Sequence, residues 1–284
     1  MKIIESGEEM REYSQQLKND GKTIGLIDTE GCLHDGHMFL VKIAKENVDV
    51  VILGICHTIY YFEHSTEKYE VHLKLYQQDF IEKEIKICEL NNVDVLFLPS
   101  MDDLYTNSST ISLDSLPLNV QNFLQTLPIN IKFILGAKEL YNITLPDIIV
   151  LGQKDVYQTF ILKSLIKQLN LSIKVIMIPT IRDSDGLAFS SRNQLLTFSE
   201  RCNATSIYQT LHEISRWSVY PPVAEIKEHI TKRITQANGE IDYIQICCFN
   251  TLKNLDVLDR KALIIVNAIW GGQTEVGDNI IIEP

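Results

Sequence analysis

Two histidines three residues apart, in His34-Asp35-Gly36-His37, are the first residues of this chain whose types and spacing suggest chemistry. They follow the β-branched run Lys22 to Asp28 and the stretch Thr29-Glu30-Gly31-Cys32-Leu33, and they precede an apolar periodic segment, Met38 to Val48. Strand, turn and helix in that order put both imidazoles at a helix start on the carboxyl edge of a sheet, where ligands bind in α/β folds. Helix-start amides and the helix dipole favour an anion, Gly36 lets backbone approach it, and imidazole nitrogens can donate hydrogen bonds to phosphate oxygens. The same spacing also suits a metal ion or a helix cap, so the turn alone leaves phosphate, metal and structural roles open.

Two later clusters carry related chemistry. Gly152-Gln153-Lys154-Asp155 follows the apolar run Ile148 to Leu151 and precedes another helical pattern, a second strand-to-helix junction. Lys154 offers a compact cation for a triphosphate, while Asp155 can cap the helix or accept from a ribose hydroxyl. Ser190-Ser191-Arg192-Asn193 brings hydroxyls and a guanidinium, which suit the oxygens of a departing pyrophosphate. Taken singly, each of these reads more readily as an ordinary turn.

The clusters need elements to hold them. Strand-like runs at Lys22 to Asp28, Asp49 to Ile55, Asp94 to Leu98, Asp147 to Leu151 and Ser172 to Ile178 alternate with helical stretches. That alternation predicts a parallel, doubly wound sheet. Lys68 to Leu90 has helical spacing, with Tyr76, Phe80, Ile81, Ile85 and Cys88 on one broad face, and reads as a packing helix. Thr106 to Pro117, rich in Ser, Asn, Thr and Asp, reads as a loop. Beyond about Arg182 the texture changes. Helical Glu200 to Trp217 and Val223 to Ala237 precede strand-like Ile241 to Cys248, Ala262 to Ala268 and Asn279 to Glu283. The expected fold is α/β, a Rossmann-like N-terminal domain over residues 1–180 with a small α+β C-terminal domain over 181–284.

Composition removes several function classes. A net charge of −11 argues against a nucleic-acid surface, since phosphate-backbone affinity needs clustered Lys and Arg. Any phosphate chemistry must therefore rest on a local positive site. The N-terminal MKIIESGEEMREY lacks the apolar stretch of a signal peptide, and no apolar run reaches the length of a membrane span. Cys32, Cys56, Cys88, Cys202, Cys247 and Cys248 show no CxxC spacing, so neither a zinc site nor a disulfide framework is expected. These features read as a cytoplasmic protein with reduced thiols.

In order and spacing, the clusters resemble one family. Ile24-Gly25 through His37, Gly152-Gln153-Lys154-Asp155 with Gln158, Ile178-Pro179-Thr180-Ile181-Arg182, Asp185-Gly186-Leu187-Ala188-Phe189-Ser190-Ser191-Arg192-Asn193, and the tail Gly271-Gly272 through Asp278-Asn279-Ile280 are similar to the pantothenate synthetases, the pantoate–β-alanine ligases. The resemblance covers nearly the whole chain. It implies an ATP-dependent, AMP-forming carboxylate–amine ligase working through an acyl-adenylate, with Mg²⁺, a lid-like C-terminal domain and a homodimer. By position it assigns His34, His37, Lys154, Ser190, Ser191 and Arg192 to the phosphates, and Gly36, Gly152, Asp155 and Ile181 to the nucleotide. Gln158 falls on a residue that grips the acid. The implied partners are a small carboxylic acid and an amine; the Mg²⁺ ligands are not identified.

The match loosens around the acid. Where the family usually reads Pro-Thr-Met-Gly, this chain has Asp28-Thr29-Glu30-Gly31, and a glutamine that holds the acid corresponds to Ile59 within Cys56-His57-Thr58-Ile59-Tyr60. The family's Arg-Pro-Gly-His-Phe-Arg-Gly-Val stretch has no counterpart in Thr126 to Glu139. One lost hydrogen bond to a charged ligand costs roughly 1.5–3 kcal/mol, so the acid or amine is expected to differ unless Cys56, His57, Tyr60 or Tyr61 compensates. Glu30, Cys56, Ile59 and Tyr60 join Gln158 as expected acid-pocket residues. Two further readings stand beside the ligase: a nucleotide-binding relative without turnover, and a nucleotidyltransferase that moves AMP onto a phosphate ester.

Overall fold

The structure is a computed structural model that describes residues 1–56, 80–105, 118, 121 and 131–284. The chain divides into two compact units, Met1–Pro179 and Thr180–Pro284.

In the first unit a six-stranded sheet runs in the order β1-β4-β3-β2-β5-β6, every pairing parallel. Its strands are β1 (Lys2–Ile4), β2 (Ile24–Thr29), β3 (Val50–Ile55), β4 (Val95–Phe97), β5 (Ile148–Gly152) and β6 (Lys174–Ile178). The expected Rossmann-like parallel sheet is thus present. Parallel strands are covered on both faces and read as near-continuous apolar runs, which is why most of them were visible in the sequence. Ile24, Leu26 and Ile27 of β2 and Ile52, Leu53 and Ile55 of β3 are all sealed from solvent. Each such side chain contributes about 1.5–3 kcal/mol on burial.

The helices described in this unit are α1 (Gly7–Asn19), α2 (Asp35–Lys45), α3 (Phe80–Leu90), α4 (Met101–Tyr105), α5 (Ile131–Thr144) and α6 (Val156–Gln168). Strand β1 and helix α1 went unread in the sequence for physical reasons. Three residues are too few to show alternation, and the inward stripe of α1 is thin, Met10 and Leu17 with the small Ser14 between them. Of the long helix expected over Lys68 to Leu90, the stretch through Asp79, Tyr76 included, lies outside the described residues. In α3 the buried stripe is Phe80, Glu84 and Cys88, with Ile81 and Ile85 only partly covered. The Thr106 to Pro117 segment also lies outside the described residues.

The second unit holds a three-stranded antiparallel sheet, β7 (Glu240–Cys248), β8 (Ala262–Trp270) and β9 (Thr274–Ile282), in that order. Alternate residues of β8, Ala262, Ile264, Val266, Ala268 and Trp270, share a core with Ile207, Leu211 and Ile214 and with Ile226, Ile230 and Ile234. The latter come from α8 (Ser206–Ile214) and α9 (Val223–Gln236). This is the small α+β fold expected, with one correction. The single helix read over Glu200 to Trp217 is two, α7 (Phe198–Ala204) and α8, because the Thr205 hydroxyl turns back onto the Cys202 carbonyl at 2.7 Å. That local bond competes with the helical ladder.

Candidate functional site

In the first unit, β2 has β3 on one side and β5 on the other, and the chain leaves β2 toward β3 but leaves β5 toward β6. The crevice between the carboxyl ends of β2 and β5 is therefore a topological switch point, the usual ligand seat of such sheets. The loop after β2 carries His34 and His37 there, and the loop after β5 carries Gly152, Lys154 and Asp155.

The histidines open α2: His34 is its N-cap and His37 its third residue. The two rings stack, centroids 4.0 Å apart at 20°. The His34 backbone N–H donates to His37 Nδ1 at 3.4 Å, so Nδ1 is the unprotonated nitrogen. Nε2 then carries the proton and faces Thr29 Oγ1, also at 3.4 Å, while Thr29 Oγ1 accepts from Gly31 N–H at 2.9 Å. Burial is the main cause of a lowered basicity in both rings, taking His34 to about 4 and His37 well below the ordinary value. Lys154 adds to the effect at both, which places its cation within the field of the pair. At neutral pH the turn therefore presents two uncharged imidazoles beside one ammonium. Both bonds of His37 are long, and its Nε2–H can exchange Thr29 for a ligand oxygen.

Lys154 is mostly buried, with Nζ 3.9 Å from Asp155 Oδ1. Gly152, just before it, has ordinary extended backbone, and a Cβ built there would meet no atom within 4 Å. Nothing in the fold itself asks for glycine at this position, and the backbone there lies bare. Gln158, on the first turns of α6, is half-buried.

The loop between β2 and α2 is held from α3. Gly31 has φ +91°, a conformation L side chains rarely adopt, and a Cβ there would sit 2.6 Å from the Phe80 ring. Cys32 follows at φ +50°, and the Leu33 N–H then donates to both carboxylate oxygens of Glu84, at 3.2 and 3.0 Å. Glu84 is only 3% exposed; the sequence sets it roughly where the family has an acidic residue on its long helix, and reads equally well as a solvated helix face. The signal available was its spacing, four residues after Phe80 and four before Cys88, at the middle of an otherwise apolar stripe.

Acid-side candidates cluster at the ends of β2 and β3. Burial raises the Asp28 carboxyl to about 6, against the opposing hydrogen bond from the Cys56 thiol. Burial, with Asp28 nearby, pushes Cys56 and Tyr141 well above their usual ranges. Glu30 is half-buried in the same loop. Ile59 and Tyr60, with His57 and Tyr61, lie outside the described residues.

In the second unit, Ile181 begins a small hairpin. Its carbonyl accepts from Phe189 N–H at 3.0 Å, and Arg182 bridges Ala188. The Arg182 guanidinium grips Asp278 of β9 with both Nη atoms and lies 4.5 Å above the Tyr208 ring. The hairpin delivers Ser190, whose hydroxyl caps the short turn Ser191–Leu195 by accepting from Arg192 N–H at 3.3 Å. Arg192 Nη1 in turn donates to Glu275 Oε2 at 2.9 Å. Glu275 lies within the family-like tail but was not singled out from sequence, its partner being 83 residues away.

A family profile described as pantoate–β-alanine ligase matches residues 2–281. The chain belongs to the pantoate–β-alanine ligase family. Its members are ATP-dependent, AMP-forming ligases. The pantothenate synthetase of Thermotoga petrophila is 34% identical over 286 residues, covering 99% of this chain and 100% of that protein. A crystal structure of the Francisella tularensis family member, complexed with β-γ ATP and β-alanine, superposes with a TM-score of 0.75 at 28% identity, over 99% of this chain and 97% of that one. The pantothenate synthetase of Thermus thermophilus shares the fold at a TM-score of 0.82 and 22% identity, over the full length of both. Among the described residues no helix is long and apolar enough to cross a membrane.

Glu84 gives this family member a pH signature. Burial raises its carboxyl to about 7, with the Leu33 N–H opposing. A carboxyl with a raised folded-state value contributes stability that is complete below its unfolded value of 4.5 and is lost as pH climbs through about 7. Glu84→Gln lacks that loss and keeps an acceptor for Leu33. Its melting temperature minus that of the parent is expected to rise from pH 4.5 to about 7 and then level off. The span corresponds to about 3 kcal/mol at most. A constant difference over that range, read by thermal denaturation, would show that Glu84 does not titrate there.

Proposed function

We propose that this chain joins pantoate to β-alanine in two half-reactions driven by ATP. A carboxylate oxygen of the acid attacks the α-phosphorus and pyrophosphate departs, leaving an acyl-adenylate. The neutral amine then attacks the acyl carbon, AMP leaves with the electrons of the C–O bond, and a proton is released as the amide forms. What the protein supplies is placement and charge compensation. The observation that carries the reading is the convergence of His34, His37 and Lys154 on the switch point between β2 and β5.

In this reading the helix-start amides, the His37 Nε2–H and the Lys154 ammonium meet the oxygens around the α-phosphorus, where negative charge concentrates as the new bond forms. Bare backbone at Gly36 and Gly152 lets the nucleotide lie close, and Asp155 accepts from the ribose. Ser190, Ser191 and Arg192 serve the departing pyrophosphate, with Ile181 contributing backbone. Gln158 holds the acid. The residues around the histidines do not form a metal cage: among the described residues no three His, Cys, Asp or Glu side chains gather for one, and a lysine sits in their place. Mg²⁺ fits instead as a companion of the triphosphate, bound mainly by phosphate oxygens and water. A homodimer and a cytoplasmic location complete the proposal.

The readings without turnover, or with AMP transfer to a phosphate ester, are not favoured by full-length similarity to ligases. Neither is a different acid, despite the departures at Asp28, Glu30 and Ile59. Exchange of labelled pyrophosphate into ATP tests the first half-reaction, and AMP formation on adding β-alanine tests the second. Both are expected to require pantoate. Exchange that ignores pantoate would sink the reading.

A further inference from the structure

The proposed chemistry leaves one half-buried carboxylate without a task. Asp28 lies at the carboxyl end of β2, one residue before Thr29. Neighbouring strand residues point to opposite faces, so Asp28 is turned away from the Thr29–His37 contact and toward α5, where Tyr141 is within electrostatic reach. Its register partner on β3 is Gly54. A Cβ on Gly54 would meet Cys56 Sγ and Leu140 Cδ1, each at 3.8 Å, which is ordinary contact, so β3 itself puts no side chain beside the carboxylate and one carbon fits there. Asp28 accepts from the Cys56 thiol and from the Thr29 backbone N–H, and no lysine or arginine among the described residues offsets its charge.

That placement matters because the acid must lie close by. Its carboxylate has to reach the α-phosphorus at the turn beginning with His34, six residues after Asp28, and the ends of β2 and β3 form the adjoining floor. An ionised carboxylate accepts hydrogen bonds and donates none. Beside an anionic substrate it repels, unless the substrate turns a donor toward it. An alkyl group in that position would take water from the carboxylate and offer no donor in return.

We propose that Asp28 is a specificity-determining residue for the acid, accepting a hydrogen bond from a substrate hydroxyl and so selecting hydroxy acids over their deoxy counterparts. Cys56 holds the carboxylate from one side, and Gly54, its register partner on β3, sets no side chain against it. The inference rests on the adenylation reading above and deepens it, assigning to this chain's own carboxylate the recognition that Ile59 is unable to give.

The test is acid-dependent pyrophosphate exchange with pantoate and with the two analogues that each lack one of its hydroxyls, using the parent and Asp28→Leu. In the parent, loss of the hydroxyl that Asp28 reads is expected to lower kcat/KM by about 10- to 100-fold, the ordinary value of one hydrogen bond to a charged group. Asp28→Leu is expected to lower kcat/KM for pantoate by a similar factor, to erase the preference over that analogue, and to leave the KM for ATP unchanged. Equal slowing on pantoate and both analogues, or no slowing on pantoate, would overturn the role of Asp28. Asp28→Asn, which keeps the volume and one acceptor, decides by the same comparison if the leucine variant does not fold, and is expected to retain part of the preference. A parent that shows no exchange with any of the three acids would overturn the adenylation reading itself and the role of Asp28 with it.

Discussion

Replacing Lys154 with alanine is expected to lower pantoate-dependent pyrophosphate exchange by about 10²- to 10³-fold, the scale on which a single stabilising donor acts in a water-poor site. The argument starts from the mostly buried ammonium and from its effect on its neighbours. Lys154 is the second cause, after burial, of the lowered His34 basicity, and it acts on His37 as well. A cation that repels protons from two imidazoles attracts phosphate oxygens at the same spot. The variant therefore has a signature independent of turnover: with the ammonium gone, His34 titrates at a higher pH in the free protein, which NMR of the imidazole protons reads directly. Near-normal exchange in Lys154→Ala would refute the assignment, whereas an unmoved His34 would place the ammonium elsewhere.

His37 should separate capping from chemistry. Alanine at this position removes both the acceptor for His34 N–H and the Nε2–H, and an exchange rate lower by about 10²-fold or more is expected. Asparagine places a carbonyl near the position of Nδ1 and so preserves the acceptor; glutamine places an amide N–H near that of Nε2. Because the ring is uncharged at neutral pH, an uncharged donor can stand in for it. His37→Gln is accordingly expected to keep exchange within about tenfold of the parent. His37→Asn should recover the melting temperature but stay slow. If Asn restores the rate and Gln does not, His37 acts as a cap and nothing more.

Much of the first unit was legible because its chemistry is local. Parallel strands bury both faces and announce themselves as apolar runs, and the loops after β2 and β5 gain meaning from their order and spacing together. What was not legible depended on distance along the chain. Glu84 looks like any charged helix residue until Leu33, 51 positions earlier, brings its N–H to it. Glu275 gains meaning only against Arg192, and the helix break at Thr205 turns on one hydroxyl that could equally have faced solvent. Asp28 was visible as a departure from the family and Cys56 as an acid-pocket candidate, but their grouping was not: Gly54 of β3, the Cys56 thiol just beyond that strand and Tyr141 of α5 come to Asp28 only in the fold.

The stacked, uncharged histidines have a consequence for how the site responds to its surroundings. Held at low basicity by burial and by a neighbouring cation, they are proton acceptors waiting for a reason to accept. An anion that docks beside them supplies that reason, since negative charge favours the protonated ring. At neutral pH the pair stays uncharged and acts through its N–H; toward the acid side, in the proposed reading, capture of a phosphate and capture of a proton are coupled.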